Sequence, residues 1–73
     1  MYVLKVGNQN VGQYASCETA CALAKKRCER TGDTVTVWGE VKVYGKEFKH
    51  SLVYLCANQH GNIVDCYPWA KQL

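Results

Sequence analysis

The side chains of this chain best suited to chemistry are five cysteines, Cys17, Cys21, Cys28, Cys56 and Cys66, and two histidines, His50 and His60. Three uses suggest themselves: a metal centre, a thiol nucleophile and a disulfide. Cys17 and Cys21 stand one helical turn apart, which is unlike the tight-turn CxxC pairs of structural zinc sites, and they lie in an alanine-rich run. Buried free thiols that pack as small hydrophobes are the expected state, and no metal is expected. A nucleophile needs a stabilised thiolate and a base in reach. Only Cys17, in the first turn of the expected helix, has a suitable place, and no motif brings His50 or His60 beside it. For a disulfide framework the count is odd and no export signal accompanies it. Cys56 and Cys66 flank an expected hairpin turn, so one bridge between them stays open, whereas the other three share one helix face and cannot all pair with one another.

The remaining polar groups offer no catalytic arrangement. Glu18, Glu29, Asp33, Glu40, Glu47 and Asp65 are scattered singly among polar neighbours, with no spacing that pairs two carboxylates. Gly7 and Gly12 lack the lysine and hydroxyl of a phosphate-cradling loop. No catalytic residue, cofactor or metal is therefore assigned, and the chain is not expected to be an enzyme.

The elements that must position these residues follow from periodicity. Tyr2–Val6 alternates as a strand, with Tyr2, Leu4 and Val6 on one face and Val3 and Lys5 on the other. Gly7-Asn8-Gln9-Asn10 reads as a turn, and residues 11–15 are ambiguous. Ser16 is an expected helix N-cap, placing Glu18 in the first turn where the helix dipole favours a carboxylate. At 100° per residue, Cys17, Cys21, Ala24 and Cys28 fall within about 60° of arc, flanked by Ala20 and Thr31. Leu23 lies off this stripe. Gly32 suits a left-handed helix terminus, so the helix should stop at Arg30 or Thr31. Residues 33–44 form the longest strand pattern, with Gly39 marking a bulge or bend. A turn at Gly45-Lys46 leads to a strand over 48–57, apolar on both faces at its end and so central. A polar loop over 58–62 and a strand over 63–67 follow, ended by Pro68, with a tail over 69–73 of uncertain order. The order β-α-β-β-β predicts an α+β two-layer sandwich in a single domain, one helix packed on a mostly antiparallel four-stranded sheet.

Composition narrows the function classes. At 73 residues and 48% hydrophobic, the chain has the size of one small domain and is too apolar for disorder. No apolar stretch approaches the ~20 residues that span a bilayer, so no membrane partner is expected. The run from Met1 into Tyr2-Val3-Leu4-Lys5-Val6 has no secretory pattern, and the expected location is the cytoplasm. Nine basic residues against six acidic give a charge of +3, which permits an acidic partner and excludes a carboxylate-covered imitation of DNA.

One helix can cover only one sheet face. The opposite face should carry Trp38, Thr34, Thr36, Tyr44 and, depending on register, Val53 and Leu55 or Tyr54. Such an aromatic and β-branched face marks an interface with a protein partner or a second copy of the chain. Lys25, Lys26 and Arg27, with Arg30 one turn on, form a basic helix face. Together with Lys42, Lys46 and Lys49 it supports an alternative, a small nucleic-acid-binding module.

The short first strand, the Ala/Lys-rich helix over 20–30, the Thr34-Val35-Thr36-Val37 strand and the hairpin His60-Gly61-Asn62-Ile63-Val64-Asp65-Cys66 resemble small phage-encoded βαβββ proteins. Some anti-CRISPR inhibitors of type I surveillance complexes belong to this group. The resemblance implies a non-enzymatic protein of the host cytoplasm that blocks a CRISPR effector by stoichiometric contact. Its expected contact residues are Trp38, Tyr44, Thr36, Lys25, Lys26, Arg30 and Lys42, read from the exposed aromatic face and the basic helix.

Overall fold

A computed structural model describes residues 1–68, except for the side chain of Val43. The tail over 69–73, read above as uncertain in order, lies outside the described residues. The elements are β1 (Tyr2–Val6), β2 (Gln9–Tyr14), α1 (Cys17–Thr31), β3 (Val35–Val43), β4 (Lys46–Gln59) and β5 (Asn62–Cys66). One sheet contains all the strands in the order β2-β1-β3-β4-β5, and every neighbouring pair is antiparallel. The α+β class and the single helix over an antiparallel sheet are as the sequence predicts; the sheet has five strands rather than four.

The extra strand is β2. Gly7, at φ 61°, turns the chain tightly, so Gln9 and Asn10 begin β2 instead of extending the turn. A register irregularity opposite Leu4 and Lys5 leaves the Asn10 side-chain oxygen free to accept the Gly12 N–H at 3.1 Å. Strand β2 is an edge strand with few β-favouring residues, and β1 pairing holds it in place. Because β1 lies between β2 and β3, the chain must cross the sheet from β2 to β3, and α1 is that crossing.

The helix ends follow local chemistry. Ser16 is extended (φ −101°, ψ 130°) and its hydroxyl oxygen accepts the Thr19 N–H at 3.4 Å, satisfying one of the donors that a helix start leaves over. Gly32, at φ 79°, closes the other end by donating its N–H to the Cys28 carbonyl at 2.9 Å. Ala20, Cys21, Ala24 and Cys28 form the buried stripe, and their small size lets α1 sit close on Leu4, Val35, Val37, Val53, Tyr54 and Cys56. Leu23, off that stripe, packs against the core from its flank.

Strands β3 and β4 outrun their neighbours. β1 pairs with β3 only from Val35 to Trp38, and β5 pairs with β4 only from Leu55 to Gln59. Beyond Trp38 and Leu52 the two strands therefore continue as a two-stranded ribbon. Its register slips between Gly39 and Val41, the bulge that Gly39 suggests in the sequence. The Tyr2 ring lies where a Cβ at Gly39 would project, and the Tyr2 hydroxyl donates to the Glu40 carbonyl at 3.4 Å. The tip turn is Tyr44-Gly45, both at positive φ (52° and 77°), one residue earlier than the sequence suggests. The expected loop over 58–62 also shortens, to a turn at His60-Gly61 with φ 53° and 88°.

Candidate functional site

The sheet presents two faces with different chemistry. On the helix-free face, the pairings Val3↔Trp38 and Lys5↔Thr36, Thr36↔Leu55 and Trp38↔Leu52, and Leu55↔Cys66 and Ala57↔Val64 set these side chains in rows across four strands. Val3, Trp38, Leu52, Leu55 and Ala57 are half-buried, while Val64 and Cys66 are exposed. Among the described residues there is no second layer over this face, since the one helix packs on the other side.

Trp38 is held firmly at its centre. The indole N–H donates to the Thr36 hydroxyl at 2.9 Å, and that hydroxyl donates to the Lys5 carbonyl at 3.4 Å. The Lys5 ammonium lies 5.7 Å from the ring centroid, within the range in which a cation is attracted to an aromatic face. A shallow depression of about 450 Å³ beside the ring is lined by Val3, Lys5, Asn10, Gln13, Trp38 and His50. That lining contains a lysine and a histidine but no carboxylate. His50 sits at φ 58°, where an irregular stretch of β4 turns the strand.

The helix side contains a smaller groove of about 280 Å³ between the start of α1 and β5, lined by Cys17, Glu18, Cys21, Ala22, Lys25, Tyr54, Asp65 and Tyr67. Tyr54, fully buried, donates its hydroxyl to Asp65 at 3.0 Å, and Lys25 approaches the same carboxylate at 3.7 Å. The Tyr67 ring tilts against Tyr54 with centroids 4.7 Å apart. Burial pushes the Tyr54 phenol up, reinforced by hydrogen bonds to Cys56 and Asp65. It also pushes the Cys21 thiol up to about 12, with Cys17 adding to the effect, and Cys28 up to about 11, with Cys56 beside it. At neutral pH Cys21 and Cys28 are protonated, and Cys28 is an inert core thiol. Among the described residues no three histidine, cysteine or acidic side chains gather as metal ligands.

The residues expected to contact a partner occupy three separate places. Trp38 and Thr36 lie on the helix-free face. Lys42, opposite Glu47, and Tyr44, 85% exposed, belong to the protruding ribbon. Lys25, Lys26 and Arg30 are exposed on α1, in the opposite layer from Trp38. The basic helix cluster is also smaller than the sequence suggests, because Arg27 is half-buried, its Nε without a hydrogen-bond partner among the described residues. Register settles two points that the sequence leaves open. Register faces Cys66 with Leu55 and Cys56 with Asp65, so Cys56 and Cys66 lie on opposite faces and both are free thiols. Tyr54 and Val53 belong to the buried core, which leaves Leu55 on the helix-free face.

Sequence reasoning missed Lys5, Asn10, Gln13 and His50 as neighbours of Trp38. Alternation in β1 already places Lys5 opposite Leu4, but only the long-range pairing of β1 with β3 brings it over the indole. Comparison of the chain with protein-family models, with curated proteins and with solved structures finds no match.

Proposed function

We propose that this chain is a non-enzymatic binding protein that docks the helix-free face of its sheet, centred on Trp38, onto a protein partner. The observation that carries this reading is the braced indole within a contiguous row of half-buried apolar side chains. Aromatic anchors of this kind concentrate binding energy when a partner completes their burial. Holding Trp38 with Thr36 and Lys5 removes rotamer freedom before docking, which lowers the entropic cost of association. The depression beside it contains Lys5 and His50 without a carboxylate, so the complementary surface is apolar with an acidic rim.

Nucleic-acid binding through the basic helix has less support, because Lys25 is engaged with Asp65, Arg27 is half-buried, and the ribbon lysines project from the sheet rather than from α1. The narrower reading, an inhibitor of a type I CRISPR effector, rests on resemblance of layout, and β2 makes that layout ββαβββ instead of βαβββ. Its test is target-DNA binding by such an effector with and without an equimolar amount of this protein.

The docking surface is tested by affinity capture from nuclease-treated bacterial extract with three baits: wild type, Trp38→Ala and Lys26→Glu. A stoichiometric protein retained by wild type and Lys26→Glu but lost with Trp38→Ala supports the proposal. Loss with Lys26→Glu alone, or disappearance of every partner after nuclease treatment, moves the binding surface to the helix.

A further inference from the structure

We propose that the depression beside Trp38 is a receptor for a single carboxylate, an aspartate or glutamate side chain of the docking partner with an apolar residue next to it. This names the partner's chemistry at the docking face proposed above and rests on that reading. The lining, Val3, Lys5, Asn10, Gln13, Trp38 and His50, bounds about 450 Å³. Every polar side chain in it can donate a hydrogen bond, and an ionised carboxylate only accepts. Lys5 brings an ammonium and Gln13 an amide. The Asn10 side-chain oxygen is committed to the Gly12 N–H at 3.1 Å, which keeps its NH2 as a donor, and His50 offers an N–H whether its imidazole is neutral or charged.

Two β-bulges bring these donors together. Leu4 pairs with Gly12 and Lys5 with Asn10, so Val11 is the extra residue, and the slip sets Asn10 directly across from Lys5 on the helix-free face. In the other, Gly39 pairs with Ser51 and Val41 with Phe48, so Lys49 and His50 together oppose Glu40. His50 there adopts φ 58°, a left-handed conformation uncommon for a residue with a side chain. Bulges re-aim side chains and are frequent beside functional sites; here both supply lining residues around one indole. No carboxylate offsets them. Lys25 on the helix is paired with Asp65 at 3.7 Å, whereas the depression around Lys5 has no acidic side chain, and Glu40 lines a different hollow with Tyr2, Lys42 and Glu47.

A strand of nucleic acid fits this surface less well. It needs a track of basic groups and an open ring face for stacking. Only Lys5 and His50 are basic in the lining, and the Lys5 ammonium already lies 5.7 Å from the indole centroid. Val3 and Leu52, paired with Trp38 on its two sides, continue the surface as apolar, which suits a carboxylate whose neighbour in the partner is apolar.

The test selects a library of random displayed peptides on the immobilised full chain, then titrates one enriched peptide, made synthetically with a fluorescent label, against wild type and variants. The expected peptides share an aspartate or glutamate beside an aliphatic or aromatic residue. Converting that acid to its amide and Lys5→Met should each weaken binding about tenfold, and the two changes together should cost little more than either alone. His50→Gly, which suits the local φ, should also weaken it, and Lys26→Gln should not. Circular dichroism verifies that the variants remain folded. Peptides that need Trp38 but have no acidic residue, or acid and Lys5 effects that simply add, would overturn the carboxylate receptor and leave the docking face standing. Peptides indifferent to Trp38→Ala would overturn both. A library from which nothing is enriched, or labelled oligothymidine bound more tightly than any peptide and released by Lys5→Met, would overturn the carboxylate receptor.

Discussion

Tyr54 and Leu55 are neighbours in β4, both large and apolar in body, yet they report on two different surfaces. Tyr54 is fully buried beneath α1 with its hydroxyl on Asp65, while Leu55 is half-exposed opposite Thr36 on the helix-free face. The strand alternates, so one face is fitted closely to a helix of small side chains and the other holds Trp38 with no second layer over it among the described residues. The difference shows that this sheet is apolar on both sides for two reasons. One side packs against the helix, and the other is the surface proposed to meet a partner.

The contrast breaks most visibly at Tyr54. Tyr54→Ala removes a fully buried aromatic and its hydrogen bond, and should cost about 3–5 kcal/mol, close to complete unfolding for a domain of this size; chemical denaturation measures it. Ala24→Leu sharpens the same point from the helix, since the side chain is 0% exposed and extra volume there should cost about 1–3 kcal/mol by forcing α1 off the sheet. Leu55→Ala, on the other face, should cost only about 1 kcal/mol, half the transfer value of a buried leucine. If Leu55→Ala proves as damaging as Tyr54→Ala, both faces are core and the comparison collapses.

Alkaline pH should act on the covered face. Cys28 rises from 9.0 to about 11 in the folded chain, chiefly by burial, and Cys21 from 9.0 to about 12. Above pH 9 the unfolded chain releases these thiol protons while the folded chain keeps them, so the unfolded state binds fewer protons and stability falls with rising pH. The thermal midpoint should therefore drop between pH 9 and 11, and Cys28→Ala should flatten part of that slope.

Legibility in the sequence divided along the same line. The helix was readable to its caps, because Ser16, Glu18, Arg30 and Gly32 each satisfy a local requirement of a helix end, and the small-residue stripe named its buried face. Trp38 and Thr36 were readable as residues of the open face because β3 alternates cleanly there. Strand β2 was not, since Gln9, Asn10, Gly12 and Gln13 have little intrinsic preference for a strand and are held by pairing with β1. The facing of Tyr54 was hidden because residues 52–57 are apolar in both phases and a register slip at Val53 shifts the pairing between Val37 and Trp38. The same non-local register separates Cys56 from Cys66 and brings Lys5 over Trp38, contacts that no local pattern encodes.

The most direct test of the account places a photo-crosslinking amino acid at position 55 in one protein and at position 26 in another, and irradiates each in nuclease-treated extract. The account predicts a discrete, stoichiometric protein adduct from position 55 and none from position 26. An adduct from position 26 alone, or none from position 55, would contradict the claim that the helix-free face is the contact surface.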